Sequence, residues 1–420
     1  MEKKISPWSW VPTLYFAEGI PYVIAATTFA VTMYHQLGIS NTETAFFTSW
    51  IYFPWVIKPF WSPFVDVMKT KRWWILFTQL LIGIGLAAVA FVIPTSFFLQ
   101  SSIAILWLLA FCSATHDISA DGFYMLALSE GDQSLFVGIR STFYRISMVV
   151  GQGILIYLAG VLEEETKDIP LSWSITLLVA AVLFFLFFLY HNLILPKPEA
   201  DKTVTTGNHI SNFFASFESF FKKKKILIGI VFILLYRLGE AQLCKITAPF
   251  LQDPYEVGGL GLSTKEFGLI YGTIGVLALT AGGIIGGIYI AKKGLKSSIF
   301  PMMLWMNLPN LIYVLMAYFQ PTDMITITAG VAIEQFGYGF GFTAFMLYLI
   351  YISQGEFKTS HYAICTGFMA LGMMLPGMGA GWIQEVFGYQ NFFIWVCICT
   401  LPSFFLLPLL KIEDKFGKKE

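Results

Sequence analysis

The chain has 420 residues, of which 56% are apolar and 12% are charged, and its formal net charge is zero. Soluble domains carry about 25% charged residues, so a mean hydropathy of +0.69 excludes a single water-soluble core and points to the bilayer as solvent. The zero net charge offers no basic surface to nucleic acid.

Twelve apolar segments follow one another along the chain, each long enough to cross a membrane, which takes about 20 residues. The predicted spans are 10–34, 43–64, 73–94, 101–128, 136–161, 171–195, 226–250, 265–290, 296–318, 323–352, 360–384 and 389–410. We predict an all-α membrane protein with two pseudo-symmetric six-helix bundles, 1–195 and 226–420. The polar stretch 196–225 is the linker between them.

The basic residues divide unequally between the two sets of loops. Twenty Lys and Arg residues fall on one set of loops and termini, whereas the other set holds only Lys167 and Lys265. Because cytoplasmic loops are enriched in Lys and Arg, both termini and the linker are predicted to be cytoplasmic. The run Lys222 to Lys225 is expected to contact anionic lipid headgroups.

Carboxylates occupy matched positions in the two halves. Glu18 in span 1 corresponds to Glu240 in span 7, and Asp117 in span 4 corresponds to Glu334 in span 10. Internal repeats of this kind are typical of transporters. The expected substrate cavity is lined by Glu18, Arg237, Glu240, Glu334 and Gln335.

Asp117 and Asp121 are four residues apart, so they share one face of their helix. Lys58 and Arg145 are predicted at a similar depth, and we expect the four side chains to form one cluster. The cluster is interpreted either as a proton-coupling or gating site, or as a static ion-pair network that joins three spans. Each charge in mid-bilayer costs about 2.5–3.5 kcal/mol and therefore faces a partner or a cavity.

The membrane charges do not balance. The spans hold five acids and four bases, which are Glu18, Asp117, Asp121, Glu240 and Glu334, and Lys58, Arg145, Arg237 and Lys245. One carboxylate is thus expected to lack an ion-pair partner, and low dielectric favours the protonated form of such a group. Arg237 is interpreted either as a local partner of Glu240 or as a cavity cation for an anionic substrate.

Two loops at equivalent places carry a partial repeat. The loop from Ser62 to Arg72 and the loop from Gly287 to Lys296 resemble the loop signature of the major facilitator superfamily. The matching residues are Asp66, Lys69, Arg72, Gly287, Lys292 and Gly294, whereas Ser62 replaces a glycine and Ala291 replaces an aspartate. The resemblance implies the major facilitator fold, with spans 1, 4, 7 and 10 around a central cavity.

Several longer strings resemble the AmpG muropeptide permease family within that superfamily. They are Lys58-Pro-Phe-Trp-Ser-Pro-Phe-Val-Asp66, Phe111-Cys-Ser-Ala-Thr-His-Asp117-Ile-Ser-Ala-Asp121, Tyr144-Arg145, Tyr236-Arg-Leu-Gly-Glu240-Ala and Thr359-Ser-His-Tyr-Ala363. The resemblance implies a secondary transporter of the bacterial inner membrane that imports anhydromuropeptides with protons for peptidoglycan recycling. It also implies that Asp117, Asp121 and Arg145 belong to a shared charged core.

Other functions stay open at this point. The alternatives are a carrier for another sugar, a peptide or an acetyl-coenzyme A-like anion and, more distantly, a membrane-embedded acyltransferase that uses the adjacent His116 and Asp117. His116 is interpreted either as a proton relay or as a neutral histidine bonded to a neighbouring helix. We expect a monomeric transporter rather than an enzyme, with a small-molecule substrate, protons and membrane lipid as partners, and with no cofactor, metal or nucleic acid.

Overall fold

Every long regular element among the described residues is a helix. The computed structural model describes residues 5–199, 201–202, 209–355 and 357–418, without the side chains of residues 66, 67, 130, 134, 137 and 209–213. A helix satisfies its backbone hydrogen bonds internally, as a lipid surrounding requires. The helices are α1 (Val11–Ala26), α2 (Thr28–Gln36), α3 (Asn41–Trp50), α4 (Phe53–Met68), α5 (Lys71–Val92), α6 (Phe98–Ala127), α7 (Glu130–Met148), α8 (Leu155–Thr166), α9 (Ile169–Ile194), α10 (His209–Phe221), α11 (Ile226–Tyr236), α12 (Leu238–Gln252), α13 (Thr264–Phe267), α14 (Val276–Lys293), α15 (Leu295–Asn307), α16 (Asn310–Phe319), α17 (Met324–Ile352) and α18 (Lys358–Leu406).

The number of long apolar helices is smaller than the predicted number of spans. In the described part of the chain, nine helical runs are long and apolar enough to cross a membrane, or ten if α1 and α2, bent by 41°, count as one. The predicted second span is divided into α3 and α4, and α4 contains Pro59 and Pro63. The last two predicted spans form one run, α18, interrupted at Gly388 with a φ of 72°. Twelve spans and the orientation of the termini therefore stay predictions.

Among the described residues, the largest hydrophobic cluster is shared by the two halves. The largest buried cluster contains residues of both halves, for example Ile24 and Phe29 of the first and Phe250 and Phe393 of the second. Near the linker, each half instead has its own smaller cluster. We call the end near the linker the linker end and the opposite end the distal end. One continuous apolar cluster therefore joins the halves at the distal end.

Polar contacts close the distal end. His35 Nε2 lies 3.0 Å from Asp253 Oδ1, and the Tyr389 hydroxyl donates to the other oxygen of Asp253. Asn41 Nδ2 donates to Gln384 Oε1 at 2.7 Å. Each contact except that of Tyr389 joins the first half to the second, so this polar seam holds the halves together at the distal end.

Two π-helical turns, one from each half, contact each other. They are Val149–Ile154, between α7 and α8, and Gly268–Gly275, between α13 and α14. A Cβ atom on Gly272 would lie 1.9 Å from the carbonyl oxygen of Gln152, and one on Gly153 would lie 2.9 Å from the carbonyl oxygen of Gly272. Glycine is therefore required here, because the two backbones touch.

The predicted linker is partly folded onto the second half. Within 196–225, helix α10 buries Phe220 completely in the hydrophobic cluster of the second half. Lys223 Nζ donates to the carbonyl oxygens of Ile352 and Gln354, both at 2.7 Å. At least this lysine of the four-lysine run thus binds protein, so the run is more than a row of free surface charges.

Candidate functional site

The first half pairs its two aspartates with two different cations. Lys58 forms an ion pair with Asp117. Asp121 Oδ1 accepts hydrogen bonds from Arg140 Nη1 and from the Tyr15 hydroxyl, both at 2.9 Å. The guanidinium carbon of Arg140 also lies 4.9 Å from the centre of the Tyr15 ring. Two carboxylates on one helix face therefore coexist because each has its own partner.

Arg145 is not part of this cluster, which corrects the sequence prediction. Its guanidinium lies against α14, where a Cβ on Gly283 would be 3.2 Å from Arg145 Nη2. Arg140, which loop-charge counting placed outside the membrane, takes the expected place beside Asp121. Helix α7 begins directly after Ser129, whose side chain caps it, so Arg140 lies in the third turn of the helix. A serine at this position is a common N-cap and is visible in the sequence. Counting helical turns from Ser129 would have placed Arg140 inside the helix.

Glu18 lies beside the paired aspartates without a cation of its own. Its carboxyl group is within electrostatic range of Asp117, Asp121 and Lys58. Glu18 is 8% exposed, and in the described structure its Oε2 atom has no hydrogen-bond partner. Glu18 is therefore a buried acid next to Asp117 that has no cation of its own among the described residues.

Arg237 is held by aromatic rings instead of a carboxylate. It lies at the break between α11 and α12, and its Nη2 donates to the Tyr338 hydroxyl at 2.5 Å. Its guanidinium carbon is 5.3 Å from the Tyr338 ring centre and 5.0 Å from that of Phe342. Among the described residues it forms no ion pair with Glu240, and its Nε is buried without a partner. Of the two interpretations of Arg237, the local ion pair with Glu240 is therefore not found within 4.0 Å.

Glu334 and Gln335 form a buried polar group in the second half. Glu334 is 1% exposed, and its Oε2 accepts from Gln335 Nε2 at 2.9 Å and from the Tyr313 hydroxyl at 3.4 Å. Gln335 Nε2 also lies 3.3 Å from the Tyr271 hydroxyl. Glu240 is within electrostatic range of Glu334. The predicted cavity residues of the second half are thus close neighbours, with neutral hydrogen-bond partners.

The charge balance differs from the one that composition predicted. Of the four predicted membrane bases, only Lys58 has a carboxylate within 4.0 Å among the described residues. Glu18, Glu240 and Glu334 likewise lack a basic partner in the described ion pairs. Three carboxylates, not one, are therefore unpaired among the described residues, because Arg145, Arg237 and Lys245 each lie more than 4.0 Å from any described carboxylate.

Exposure decreases along this series of acids. The side chains of Asp121 and Asp117 are 40% and 23% exposed. Glu18 is 8% exposed and Glu334 is 1% exposed. Asp121 lies near the linker end of α6, so the charged interior is open towards the linker end and closed towards the distal end.

Aromatic side chains of the first half lie near Arg237 of the second half. The ring centre of Tyr22 is 5.1 Å from that of Trp55 and 6.3 Å from that of Tyr52. Arg237 of the second half is within electrostatic range of both Tyr22 and Tyr52. These rings were missed because an aromatic residue in a spanning segment gives no sign in the sequence of whether it faces lipid or the interior.

His116 belongs to a buried network inside the first half. Its Nε2 lies 3.0 Å from Gln79 Nε2, and Gln79 Oε1 lies 3.0 Å from His191 Nδ1. His116 is 1% exposed. This geometry fits the interpretation of a histidine bonded to a neighbouring helix, and it leaves His116 unavailable as the base of an acyltransferase.

The loop-motif residues lie at the linker end. Arg72 Nη2 donates to the Asn192 carbonyl oxygen at 2.7 Å, which ties α5 to α9. Lys69 Nζ lies 5.8 Å from the Trp73 ring centre, and Gly294 adopts a φ of 79° between α14 and α15. The side chain of Asp66 lies outside the described residues. The remaining motif residues, Gly287 and Lys292, lie in the last two turns of α14.

The profile of the Major Facilitator Superfamily matches residues 13–353. The chain belongs to this superfamily. It is therefore a multi-pass membrane transporter with a small-molecule substrate, and not an enzyme. The resemblance to AmpG permeases seen in the sequence is confirmed by curated relatives that carry that name.

Two of these relatives match nearly the whole chain. The anhydromuropeptide permease of Escherichia coli (strain K12) is 27% identical over 402 residues, which cover 93% of this chain and 77% of that protein. Putative transporter AmpG 4 of Rickettsia conorii is 25% identical over 412 residues, which cover 94% of each chain.

Solved structures share the fold at lower identity. The nucleoside transporter NupG matches with a TM-score of 0.73 and 15% identity over 96% of this chain and 98% of that chain. A D-xylose–proton symporter matches with a TM-score of 0.74 and 12% identity over 98% and 99%. At these identities the likeness establishes the fold alone.

Proposed function

We propose that the protein is a proton-coupled importer of anhydromuropeptides that works as a monomer in a bacterial inner membrane. The proposal includes twelve spans, with halves 1–195 and 226–420 and a cytoplasmic linker at 196–225. Support for the substrate comes from the name of the Escherichia coli relative. The orientation rests on the loop charges, and lipid contact on the exposed apolar side chains of the helices.

The observation that carries the proposal is a set of five acids in the spans, of which Glu18, Glu240 and Glu334 have no cation within 4.0 Å among the described residues. An acid that lacks a cation in a low-dielectric interior is suited to bind a proton. Proton transfer from Glu18 to Asp117 would weaken the attraction of Asp117 for Lys58. Breaking that pair is a local electrostatic event that couples protonation to rearrangement of α4 and α6.

The second half supplies groups that suit an anionic, sugar-containing solute. Arg237 keeps Nε free of a partner and is flanked by Tyr338 and Phe342. A guanidinium binds carboxylates through two parallel hydrogen bonds. The rings of Tyr22 and Trp55 are arranged edge to face and offer apolar surfaces for a sugar ring.

Uptake into inside-negative vesicles tests the function directly. The labelled solutes are an anhydromuropeptide, an N-acetylglucosamine disaccharide and acetyl-coenzyme A, each with and without a protonophore. We expect the anhydromuropeptide to accumulate, and the protonophore to abolish that accumulation. Preferential uptake of either other solute would replace the substrate assignment, and accumulation insensitive to the protonophore would contradict proton coupling.

A further inference from the structure

Lys245 is a buried cation that takes part in none of the ion pairs described above. It lies on α12 and is 2% exposed. Its Nζ donates to Thr48 Oγ1 at 3.0 Å and lies 5.2 Å from the centre of the Tyr52 ring. Within the described residues, no carboxylate lies within 4.0 Å of it. A buried ammonium therefore has only a hydroxyl group and an aromatic face as partners.

These partners leave part of the site unsatisfied. An ammonium group has three N–H donors, and the described side chains give Lys245 one hydrogen-bond acceptor. Ser49 Oγ, in the next position to Thr48, is buried without a partner. A Cβ on Gly377 would lie 2.6 Å from Ser49 Oγ and 3.5 Å from Lys245 Cε, so both side chains lie against the backbone at Gly377. Unused donors of Lys245 and Ser49 therefore lie close together, and such a pair of donors is suited to an anion.

The site is formed by both halves. Thr48, Ser49 and Tyr52 belong to the first half, whereas Lys245 and Gly377 belong to the second. Helix α3 continues to Asn41, which bonds to Gln384 in the polar seam at the distal end. Separation of the halves along this seam would remove Thr48 and Tyr52 from Lys245 together. The ammonium would then lack both partners, at a depth where an unpaired charge is costly.

We propose that Lys245 binds a carboxylate of the transported solute when the polar seam at the distal end is open and α3 has moved away from α12. Thr48 and Tyr52 take the place of that carboxylate in the closed conformation described above, so closure of the seam releases the anion towards the linker end. The choice of anhydromuropeptide as the carrier of the carboxylate rests on the proposed function. Arg237 precedes Lys245 by eight residues, about 12 Å along a helix, so the two cations suit a solute longer than one sugar.

The first test compares an anhydromuropeptide that has free carboxylates with the same molecule converted to primary amides. We expect wild-type protein to prefer the free acid, and Lys245→Gln to raise its KM about tenfold, because a hydrogen bond between charged groups is lost. The KM for the amide should stay unchanged, and Lys245→Arg should keep the preference for the acid. Lys265→Gln is the matched control, since Lys265 is exposed at the distal end and pairs with Glu164.

Equal losses for acid and amide in Lys245→Gln would overturn the proposal and make Lys245 a structural residue. An unchanged preference for the acid would also overturn it. Modification of Lys245→Cys with an aminoethyl thiosulfonate restores an ammonium group at nearly the same place. Recovery of the preference for the acid after this modification is therefore expected, and its absence counts against a direct role.

A second readout does not depend on the identity of the solute. Lys245→Cys is placed in a variant whose five native cysteines are replaced, and a membrane-impermeant cationic thiol reagent is added to the distal side of intact vesicles. Labelling is expected, because the open seam exposes this position. If the wild type imports no anhydromuropeptide but labelling occurs, the proposed function fails and the seam site stands. Absence of labelling overturns the site itself.

Discussion

The two halves of the protein differ in the ion pairing of their membrane charges. In the first half, Asp117 and Asp121 each hold a cation, Lys58 and Arg140, and these groups are partly exposed towards the linker end. In the second half, Arg237, Glu240, Lys245 and Glu334 lie within one region, yet no described ion pair joins them. The sequence repeat therefore does not extend to the chemistry of the charges.

This difference suggests a division of tasks. An ion pair can be broken by protonation of its acid, which suits a coupling or gating element. A buried charge that has only neutral partners retains donors or acceptors for a ligand. We therefore assign coupling to the first half and solute binding mainly to the second, and the following substitutions test that assignment.

The largest effect is expected from Asp117→Asn, which removes the partner of Lys58 and keeps the shape of the side chain. Accumulation in proton-energised vesicles should fall to background, while solute binding to purified protein is retained. Asp121→Asn should also abolish accumulation, since Arg140 then loses its acid. Full uptake by both variants would leave these pairs a purely structural role.

Arg237→Ala should weaken solute binding more than it weakens proton coupling. Loss of the charged hydrogen bonds to an anionic solute is expected to weaken binding roughly tenfold to a hundredfold, or about 1.5–3 kcal/mol. Titration calorimetry on purified protein measures this directly. A variant that binds normally but unfolds at a lower temperature would show that Arg237 only anchors α17 through Tyr338.

Gly272→Ala tests the close backbone contact between the two halves. A Cβ at this position meets the carbonyl oxygen of Gln152, so we expect a loss of about 1–3 kcal/mol in stability from overpacking. Gly287→Ala is the matched control, because a Cβ there has no neighbour within 4 Å. Thermal unfolding in detergent is the measurement, and equal Tm values for the two variants would contradict the tight crossing.

The smallest effect is expected from Lys265→Gln. Lys265 Nζ lies 2.9 Å from Glu164 Oε2 across the halves, but both side chains are well exposed, at 36% and 51%. Water screens such pairs, so their contribution is small. Tm and uptake should both stay at the wild-type level, and a large drop in either would assign a gating role to this exposed pair.

Parts of the site were accessible from the sequence and parts were not. Depth along the helices predicted that Lys58 lies in one cluster with Asp117 and Asp121, and in the structure Lys58 pairs with Asp117. The exchange of Arg145 for Arg140 was not predicted, since the two are five residues apart and helix rotation decides which one faces α6. The aromatic partners of Arg237 lie about 100 residues away along the chain, at Tyr338 and Phe342, beyond the reach of local spacing.

By itself, the sequence determined that this is a helical membrane transporter with buried carboxylates, because hydropathy and loop charge act locally along the chain. The fold of the major facilitator superfamily also followed from the sequence, through the repeated loops and the family strings. Only the tertiary structure decided which charges are paired. An ion pair depends on the rotation and crossing of two separate helices, and a rotation of one residue, 100° on a helix, moves a side chain from a partner to lipid.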